Sequence, residues 1–314
     1  MKLLVTGGAG FIGLNFVKYW AKNHPDDSIM IYDALTYAAW KNDVYKLIET
    51  NPKIRLVVCN ICNPTLLSHC VGLCDTIVHF AAESHVDNSI KNAAPFIQSN
   101  IVGTYTLLEA VKKLNKRMHH ISTDEVFGAL ELASPQKFTE TSPYNPRSPY
   151  SASKASSDHL VRAYYHTFNC RVTISNCSNN YGPYQYREKF LPLAISNLLK
   201  DKPVPIYGDG QYVRDWVFVE DHCRAIEAIL LNGQIGETYL VGGEEISNLN
   251  LIKKILTILN KPETLLTYVK DRPGHDRRYA VDYSKIQKEL NWSPKINLNT
   301  GLQETINWYK NYII

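Results

Sequence analysis

Five residues of this sequence form two short groups whose side chains could carry out complementary chemistry. Tyr150 and Lys154 lie four positions apart in YSASK, and Thr123, Asp124 and Glu125 are consecutive in STDEV. Four positions on a helix bring two side chains onto one face. A phenol titrates at about pH 10, and a neighbouring ammonium lowers that pKa. We therefore expect Tyr150 to remove a hydroxyl proton while hydride leaves the same carbon.

The STDEV segment follows the fifth predicted strand, His119–Ser122, so its side chains are expected at the carboxyl end of that strand. A Ser or Thr hydroxyl at the carboxyl end of such a strand can hydrogen-bond a substrate. The two carboxyl groups beyond it exceed what a simple dehydrogenation requires. They can serve as an acid and a base where their surroundings separate their pKa values. The alternative is a helix N-cap followed by acids that favour the helix dipole.

A glycine-rich turn opens the chain directly after a predicted strand. Gly7, Gly10 and Gly13 stand in GGAGFIG, where they allow a tight turn, close approach of a pyrophosphate and close helix–strand packing. The helix that follows offers free N–H groups to phosphates. Asp33 ends the next strand and can accept hydrogen bonds from ribose hydroxyls while repelling a 2′-phosphate, which predicts NAD and not NADP.

The elements that must position these groups alternate between β and α along the first part of the chain. This alternation predicts an α/β fold, a Rossmann-type doubly wound parallel sheet with a smaller C-terminal substrate-binding lobe. We assign residues 1–175 to the NAD-binding domain and 176–314 to the nucleotide-sugar lobe, with segments interleaved. The predicted strands are Leu3–Thr6, Ile29–Asp33, Ile54–Cys59, Thr76–Phe80, His119–Ser122 and Val172–Ser175. The predicted helices are Phe11–Lys22, Pro95–Leu114, Ser153–Phe168, Phe190–Leu199, Asp221–Leu231 and Leu249–Leu259.

Composition narrows the class of protein further. The 314 residues are 45% hydrophobic and 20% charged with a net charge of +4, which fits a folded protein with anionic small substrates and no nucleic acid partner. No run reaches a membrane span or a signal peptide, so we expect a soluble cytoplasmic protein without a membrane partner. Cys59 and Cys62 form a CxxC without a second pair, so the seven cysteines are expected to be reduced and no metal site is predicted.

The sequence resembles the dTDP-glucose 4,6-dehydratase family of extended short-chain dehydrogenases from end to end. The stretches that carry the resemblance are TGGAGFIG, YDALTYA, HFAAESHVD, STDEVFG, PYSASKAS, CSNNYGPYQ, YGDGQYVRDW and DRPGHDRRYAVD. The resemblance implies a homodimer that pairs through the helices near Pro95–Leu114 and Ser153–Phe168. It also implies the substrate class, a nucleotide-diphosphate sugar.

The resemblance implies a redox-neutral cycle with a transient NADH. Tyr150 deprotonates the glucosyl 4-hydroxyl as hydride passes from C4 to NAD. Glu125 then removes the acidified C5 proton, Asp124 protonates the departing 6-hydroxyl, and hydride returns to C6 to give a 4-keto-6-deoxy sugar. Thr123 orients the 4-oxygen, and Lys154 holds Tyr150 and the nicotinamide ribose.

The family's binding residues carry over to matching positions here. The resemblance assigns to the cofactor Gly7, Gly10, Phe11, Ile12, Gly13, Asp33, Asn60, Ile61, Ala81, Ala82, Ser99, Tyr150, Lys154 and Asn180. It assigns to the nucleotide-sugar Ser84, Thr123, Asn179, Lys189, Tyr207, Arg214, Asn248, Arg272 and His275. Arg214 suits a diphosphate because a guanidinium binds phosphate oxygens in pairs. The alternative for Arg214 is a surface ion pair with Asp215.

Five positions depart from the pattern expected of the family, and they leave the nucleotide base and the sugar open. They are Asn60, Asn88, Phe127, Asn176 and Arg187, none of which belongs to the catalytic groups. A UDP-sugar, or UDP-N-acetylglucosamine with or without inversion at C5, is an alternative substrate. A nucleotide-sugar 4-epimerase or decarboxylase would keep Tyr150 and Lys154 without needing the two adjacent carboxyl groups. A non-enzymatic NAD sensor would tolerate the loss of Tyr150.

Overall fold

A seven-stranded sheet forms the centre of the molecule in the computed structural model, which describes residues 1–271 and 275–313. Its strand order is β3-β2-β1-β4-β5-β6-β10, and every neighbouring pair is parallel. The strands are β1 (Lys2–Thr6), β2 (Ser28–Asp33), β3 (Ile54–Val58), β4 (Thr76–His79), β5 (Arg117–Thr123), β6 (Arg171–Cys177) and β10 (Thr238–Val241). The order reverses between β1 and β4, and in such sheets ligands bind beyond the carboxyl ends of the strands at that reversal.

Helices cover both faces of the sheet because its strands are apolar on both sides. Leu3 and Val5 belong to one buried cluster, whereas Leu4 between them belongs to the other. The first face carries α1 (Phe11–Asn23), α2 (Lys41–Thr50) and α9 (Val219–Asn232); the second carries α3 (Pro64–Gly72), α6 (Gly103–Leu114) and α7 (Pro149–Phe168). Alternation of this kind is what a doubly wound fold requires.

The smaller lobe is built mainly from the last third of the chain around a separate apolar cluster. Its strands are β7 (Asn179–Tyr181), β8 (Val204–Tyr207), β9 (Val213–Phe218), β11 (Glu244–Ser247) and β12 (Leu266–Val269). They form a three-stranded sheet, β11-β9-β7, and a two-stranded sheet, β12-β8. The helices are α8 (Phe190–Leu199), α10 (Asn248–Leu259) and α12 (Leu298–Ile313), whereas α11 (Ser284–Leu290) packs against α9 and β10 (Thr238–Val241) of the main sheet. A cluster that includes Leu191, Ile252 and Leu302 packs α8, α10 and α12 against β8 and β9.

Strand β10 lies far along the chain from its neighbour in the sheet. It pairs with β6 in parallel, Thr238 opposite Ile174, although its residues fall within the 176–314 segment assigned to the lobe. Helix α9 likewise packs on the first face of the main sheet. Strand β10 extends the sheet and α9 covers one of its faces, because the apolar residues of both elements complete the core. The spacing of residues along the chain does not reveal these contacts.

Helix α7 begins four residues earlier than the predicted Ser153. Ser148 caps it: its Oγ accepts the N–H of Ser151, and its own N–H donates to Ser151 Oγ, both at 3.0 Å. Pro149 occupies the first helical position, which its fixed φ favours. Tyr150 therefore lies in the first turn of α7, with Lys154 one turn further on.

The predicted helix over Pro95–Leu114 is divided into three parts. A short helix α5 (Ala94–Phe96) leads into a π-helical segment, Ile97–Val102, which continues as α6; helix α4 (Val86–Lys91) precedes them. Two 3₁₀ turns, Asp124–Phe127 and Glu263–Leu265, complete the elements. Among the described residues no helix is both long and apolar enough to cross a membrane.

Candidate active site

A cavity of about 550 Å³ opens at the point where the strand order reverses. Its walls come from the carboxyl ends of β1, β2, β4, β5 and β6 and from the loops that follow them. All fourteen residues predicted for the cofactor lie on these walls: Gly7, Gly10, Phe11, Ile12, Gly13, Asp33, Asn60, Ile61, Ala81, Ala82, Ser99, Tyr150, Lys154 and Asn180. The fold thus brings together residues that are separated by most of the first domain.

The glycine turn has the geometry that a diphosphate cradle needs. Gly7 has φ +70°, and a Cβ on Gly13 would lie 2.2 Å from the Gly7 carbonyl oxygen, so neither position accepts a larger side chain. Helix α1 begins after Gly10 with no capping side chain and no acidic residue in its first turn. Its N-terminal amides therefore face the cavity without a competing carboxylate, as an anion-binding helix requires.

Asp33 lies on the cavity wall at the end of β2, where the adenosine half of a dinucleotide is expected. Its carboxylate accepts the N–H groups of Ala9 and Leu35 at 2.9 and 2.8 Å, which fixes its orientation. Each oxygen retains a second lone pair for a ribose hydroxyl. Burial raises the pKa of this carboxyl, and the two backbone N–H groups oppose that shift.

Tyr150 and Lys154 meet β5 at the opposite end of the cavity. Lys154 is buried, and its Nζ donates to the Ile121 carbonyl at 2.8 Å, which anchors α7 to the strand that leads into Thr123. The Tyr150 hydroxyl forms a hydrogen bond with the Thr123 side chain. Thr123, Tyr150 and Lys154 all line the cavity.

The pKa of Tyr150 moves in the direction opposite to that expected from its lysine neighbour. Burial raises the pKa of Tyr150 well above the ordinary value, and the Glu125 carboxylate adds to the shift, whereas the hydrogen bond with Thr123 opposes it. The Lys154 ammonium is turned to the Ile121 carbonyl. The phenol is therefore protonated in the ligand-free chain, and its surroundings favour added positive charge.

Asp124 and Glu125 occupy different environments although they are adjacent. Asp124 is 1% exposed, and burial raises its pKa well above the usual range, with Glu125 and Asp215 adding to the shift. Its Oδ1 accepts from the Thr123 hydroxyl at 3.3 Å, whereas its Oδ2 has no hydrogen-bond partner among the described residues. Glu125 is half-buried and lies on the cavity wall, which Asp124 does not reach. Asp124, with its raised pKa, is thus buried next to Glu125, whose carboxylate is more accessible from the cavity.

The residues predicted for the nucleotide-sugar fall into two groups. Ser84, Thr123, Asn179 and Lys189 line the cavity, and Lys189 Nζ donates to the Ser84 carbonyl at 2.6 Å. Tyr207, Asn248 and His275 lie in the smaller lobe outside those walls. The rings of Tyr207 and His275 are 6.2 Å apart, and Tyr212, which stacks on His275 at 3.7 Å, also accepts the N–H of Asn248. Arg272 lies outside the described residues.

Arg214 is buried in β9, which excludes the alternative of a surface ion pair with Asp215. Only 5% of Arg214 and 1% of Asp215 are exposed. The Asp215 carboxylate accepts the N–H groups of Gly243 and Val281. The guanidinium of Arg214 lies 4.3 Å above the Tyr279 ring, and its charge lowers the pKa of Asp124 against the larger effect of burial.

The structure identifies one buried residue behind the cavity and one pair on its wall that the sequence did not predict. Asn100, in the π-helical segment, donates to Ser153 Oγ at 2.8 Å and to the Glu83 carbonyl at 3.0 Å, and accepts the Glu83 N–H at 2.8 Å. It thereby fixes the loop after β4. The Tyr37 hydroxyl donates to Glu188 at 2.9 Å across the cavity mouth. An Asn in a helix and a Tyr–Glu pair 151 residues apart carry no local signal.

No group of three or more metal-ligating side chains occurs among the described residues. All seven cysteines are free, including Cys59 and Cys62 of the CxxC, and Cys59 lies on the cavity wall. The two thiols of the CxxC are not joined to each other.

Comparison with known proteins decides the family. The family described as GDP-mannose 4,6 dehydratase matches residues 4–305. A curated dTDP-glucose 4,6-dehydratase of Mycobacterium tuberculosis is 50% identical over 99% of this chain and 93% of its own length. The chain belongs to the dTDP-glucose 4,6-dehydratase family. The family, the fold class and the 4,6-dehydratase type of enzyme predicted from the sequence are thereby confirmed.

Solved structures of dTDP-glucose 4,6-dehydratases share the fold closely. The enzyme DesIV of Streptomyces venezuelae, solved with NAD bound, has a TM-score of 0.95 and 44% identity and covers 99% of this chain and 97% of its own. A UDP-glucuronic acid 4-epimerase of Bacillus cereus, solved with UDP-glucuronic acid and NAD, has a TM-score of 0.93 but 31% identity, covering 99% and 100%. The fold is common to both activities, so the distinction between them depends on the site.

Proposed function

We propose that this chain is an NAD-dependent dTDP-glucose 4,6-dehydratase that forms the dTDP-4-keto-6-deoxy sugar. One observation carries the reaction type: Asp124, whose pKa burial raises well above the usual range, is adjacent to the more accessible Glu125 beside the Tyr150 phenol. A 4-epimerase needs the phenol and a nicotinamide but has no step that removes water. The dTDP-glucose specificity is supported by the 50% identity to the mycobacterial relative.

The cavity fits NAD on three observations. The turn at Gly7 and Gly13 leaves no room for a Cβ, and the first turn of α1 has no acidic residue. The Asp33 carboxylate lies on the cavity wall at the end of β2, where the adenosine ribose is expected. These groups would hold the diphosphate and the adenosine ribose, and Lys154 and Asn180 would hold the nicotinamide half. When bound there, NAD would supply a hydride acceptor for the oxidation at C4 and the hydride donor for the reduction at C6.

Tyr150 begins the reaction by accepting the proton of the glucosyl 4-hydroxyl. Its high pKa in the ligand-free chain follows from burial and from the Glu125 charge. Tyr150 lies on the wall that would hold the nicotinamide, so the positive charge of the oxidised ring would offset the Glu125 charge and lower the pKa of the phenol. The Thr123 hydroxyl, already bound to Tyr150, would then orient the 4-oxygen.

Asp124 and Glu125 divide the elimination of water between them. The resulting 4-ketone acidifies the C5 hydrogen, which Glu125 removes as the accessible carboxylate of the pair. Asp124 holds a proton because its pKa is raised, and its Oδ2 has no competing partner among the described residues. It would give that proton to the 6-oxygen as the C6–O bond breaks and water leaves, which requires the buried Oδ2 to become accessible when the sugar binds.

A panel of nucleotide-sugars tests this function. The purified protein is incubated with dTDP-glucose, UDP-glucose and UDP-N-acetylglucosamine, and the products are identified by mass spectrometry and NMR. We expect loss of one water from dTDP-glucose with retention at C5. Preferential turnover of a UDP-sugar would overturn the base specificity, inversion would revise the stereochemistry, and epimerisation without loss of water would refute the dehydratase.

The cofactor has a test of its own. The nucleotide released by acid from the purified protein is expected to be NAD or NADH, because a redox-neutral cycle has no need to exchange it. Recovery of NADP alone would refute the role of Asp33.

We also propose that the enzyme is a homodimer that pairs through the helical surfaces near α6 and α7. Ile97, Val102 and Tyr105 are between 36% and 51% exposed on the first of these, and Phe168 is 49% exposed at the end of the second. Large apolar side chains on neighbouring helices are typical of a surface that a second subunit covers.

A further inference from the structure

A carboxylate that the reaction does not use lies beneath the catalytic residues. Asp158 is completely buried on α7, one helical turn after Lys154. Its Oδ2 accepts hydrogen bonds from the hydroxyls of Ser122 and Tyr144, each at 2.8 Å, and from Asn176 Nδ2 at 3.0 Å. Its Oδ1 lies 3.1 Å from His120 Nε2. A buried carboxylate with four partners is an anchor between elements and not a solvated charge.

The partners of Asp158 join three parts of the catalytic framework. His120 and Ser122 belong to β5, immediately before Thr123, whereas Asn176 belongs to β6. The same Asn176 Nδ2 also lies 3.1 Å from the Thr123 carbonyl oxygen. The carboxylate therefore reaches the backbone of the residue that precedes the Asp124–Glu125 pair. It does so from the helix that carries Tyr150 and Lys154.

Lys154 and Asp158 attach α7 to β5 at consecutive residues. Lys154 Nζ donates to the carbonyl of Ile121, and Asp158 accepts from the side chain of Ser122. These two hydrogen bonds fix both the position of α7 along its axis and its rotation relative to the end of β5. The distance between the phenol of Tyr150 and the two catalytic carboxyl groups depends on that placement.

We propose that Asp158 is a positioning residue of the dehydratase, which holds the Thr123–Glu125 turn in register with Tyr150 and keeps the buried Lys154 in its ammonium form. This inference rests on the proposed function. Asp158 acts through its neighbours and does not touch the substrate.

The charges around Asp158 support the second part of this role. Burial lowers the pKa of Lys154, and the Asp158 carboxylate opposes that shift. Burial lowers the pKa of His120 to about 4, so this ring is neutral at pH 7 and donates from Nε2, while its Nδ1 has no partner among the described residues. Burial on its own would raise the pKa of Asp158, but the His120 hydrogen bond and the Lys154 charge bring it below the usual range.

Further ionisable groups face this cluster, among them the buried His79 on β4, whose ring lies 5.2 Å from that of His120 and whose pKa burial lowers well below the ordinary value. Arg162, on the same helix, donates to the Tyr144 hydroxyl at 2.8 Å, and Cys177 on β6 donates to the Ser122 carbonyl at 3.3 Å. Burial raises the pKa of both Tyr144 and Cys177, so each is neutral at pH 7. Asp158 is therefore the anion that balances the buried ammonium of Lys154.

The test replaces Asp158 with Asn, which keeps the size and removes the charge. Wild-type protein is first assayed with dTDP-glucose, since absence of product there would be a failure of the proposed function and not of this inference. With Asp158→Asn we expect kcat to fall on the order of 10²-fold with little change in KM, because catalytic groups are displaced while binding groups remain. The alkaline limb of the kcat–pH profile should move to lower pH, because Lys154 then loses its proton more easily.

Two further variants distinguish the positioning role of Asp158 from the effect of its negative charge. Tyr144→Phe removes one hydrogen bond but keeps the carboxylate, so its alkaline limb should coincide with that of the wild type. Asp158→Glu restores the charge and should return the limb to its wild-type position even where kcat stays low. If the alkaline limb of the kcat–pH profile does not move in Asp158→Asn, the proposed effect of the carboxylate charge on Lys154 is overturned. If that variant fails to fold, Ser122→Ala loosens the same attachment, and wild-type kcat there would overturn the positioning role.

Discussion

The protonated state of Asp124 gives the sharpest test of the proposed chemistry. An Asp124→Asn substitution keeps the shape of the protonated side chain and its neutral charge but removes the acidic proton. Protonation by a positioned side chain contributes roughly 10²–10⁴-fold to rate, or about 3–5 kcal/mol of barrier. We therefore expect kcat to fall by that factor. The first oxidation should survive, since Tyr150 and Lys154 are unchanged.

The stopped reaction should be visible in the cofactor. Bound NADH should accumulate after substrate is added and be detected by its near-ultraviolet absorbance, while dehydrated product falls. Glu125 remains in place, so exchange of the C5 hydrogen with deuterated water should continue. An exposed carboxylate outside the site, Glu131, offers a matched control: Glu131→Gln should turn over like the wild type.

Stability provides a second readout with a defined sign. Because the pKa of Asp124 is raised by folding, the folded chain holds this proton more tightly than the unfolded chain does. Wild-type stability should therefore fall as pH rises above the ordinary Asp pKa, by up to about 1.4 kcal/mol per pH unit until the raised pKa is passed. The Asn variant lacks this dependence and should melt no lower than the wild type at pH 7. Wild-type kcat in this variant, or a loss of kcat without NADH accumulation, would refute the assignment of Asp124 as the acid.

Three further outcomes are expected. Glu125→Gln should also accumulate NADH but should lose C5 exchange with deuterated water by roughly 10²–10⁴-fold; exchange at the wild-type rate would show that another group is the base. Gly13→Ala places a methyl group 2.2 Å from the Gly7 carbonyl oxygen, so it should lose bound NAD and about 1–3 kcal/mol of stability, whereas Gly72→Ala, whose nearest neighbour would be 3.9 Å away, should retain both. Light scattering should give twice the 35.7 kDa chain mass, and Tyr105→Glu should shift it toward the monomer; a wild-type monomer would refute the dimer.

Much of the cofactor-binding part of the site could be predicted because it depends on residues that lie close together in the sequence. Gly7 has a positive φ and Gly13 leaves no room for a Cβ, and such a turn has few uses between a strand and a helix. Tyr150 and Lys154 share a helix face as a direct result of helical periodicity. The STDEV segment was likewise predicted at the end of a strand, and β5 ends at Thr123.

Properties that depend on burial and on distant contacts were decided only by the tertiary structure. The spacing of Tyr150 and Lys154 predicted a lowered phenol pKa, but burial, which no sequence pattern measures, reverses the direction. Burial likewise excludes a surface ion pair for Arg214, and it keeps the proton on Asp124.

Long-range pairing accounts for the rest. Strand β10 joins the sheet from 61 positions beyond the end of β6, because that edge of the core needs covering. The hydrogen bonds of Asp158 reach back 38 residues to His120 and forward 18 to Asn176, so each of its partners looks ordinary in its own segment. The types of the catalytic residues are thus determined by the sequence alone. Their charge states and relative positions are decided by the packing of distant segments, because both depend on which groups water no longer reaches.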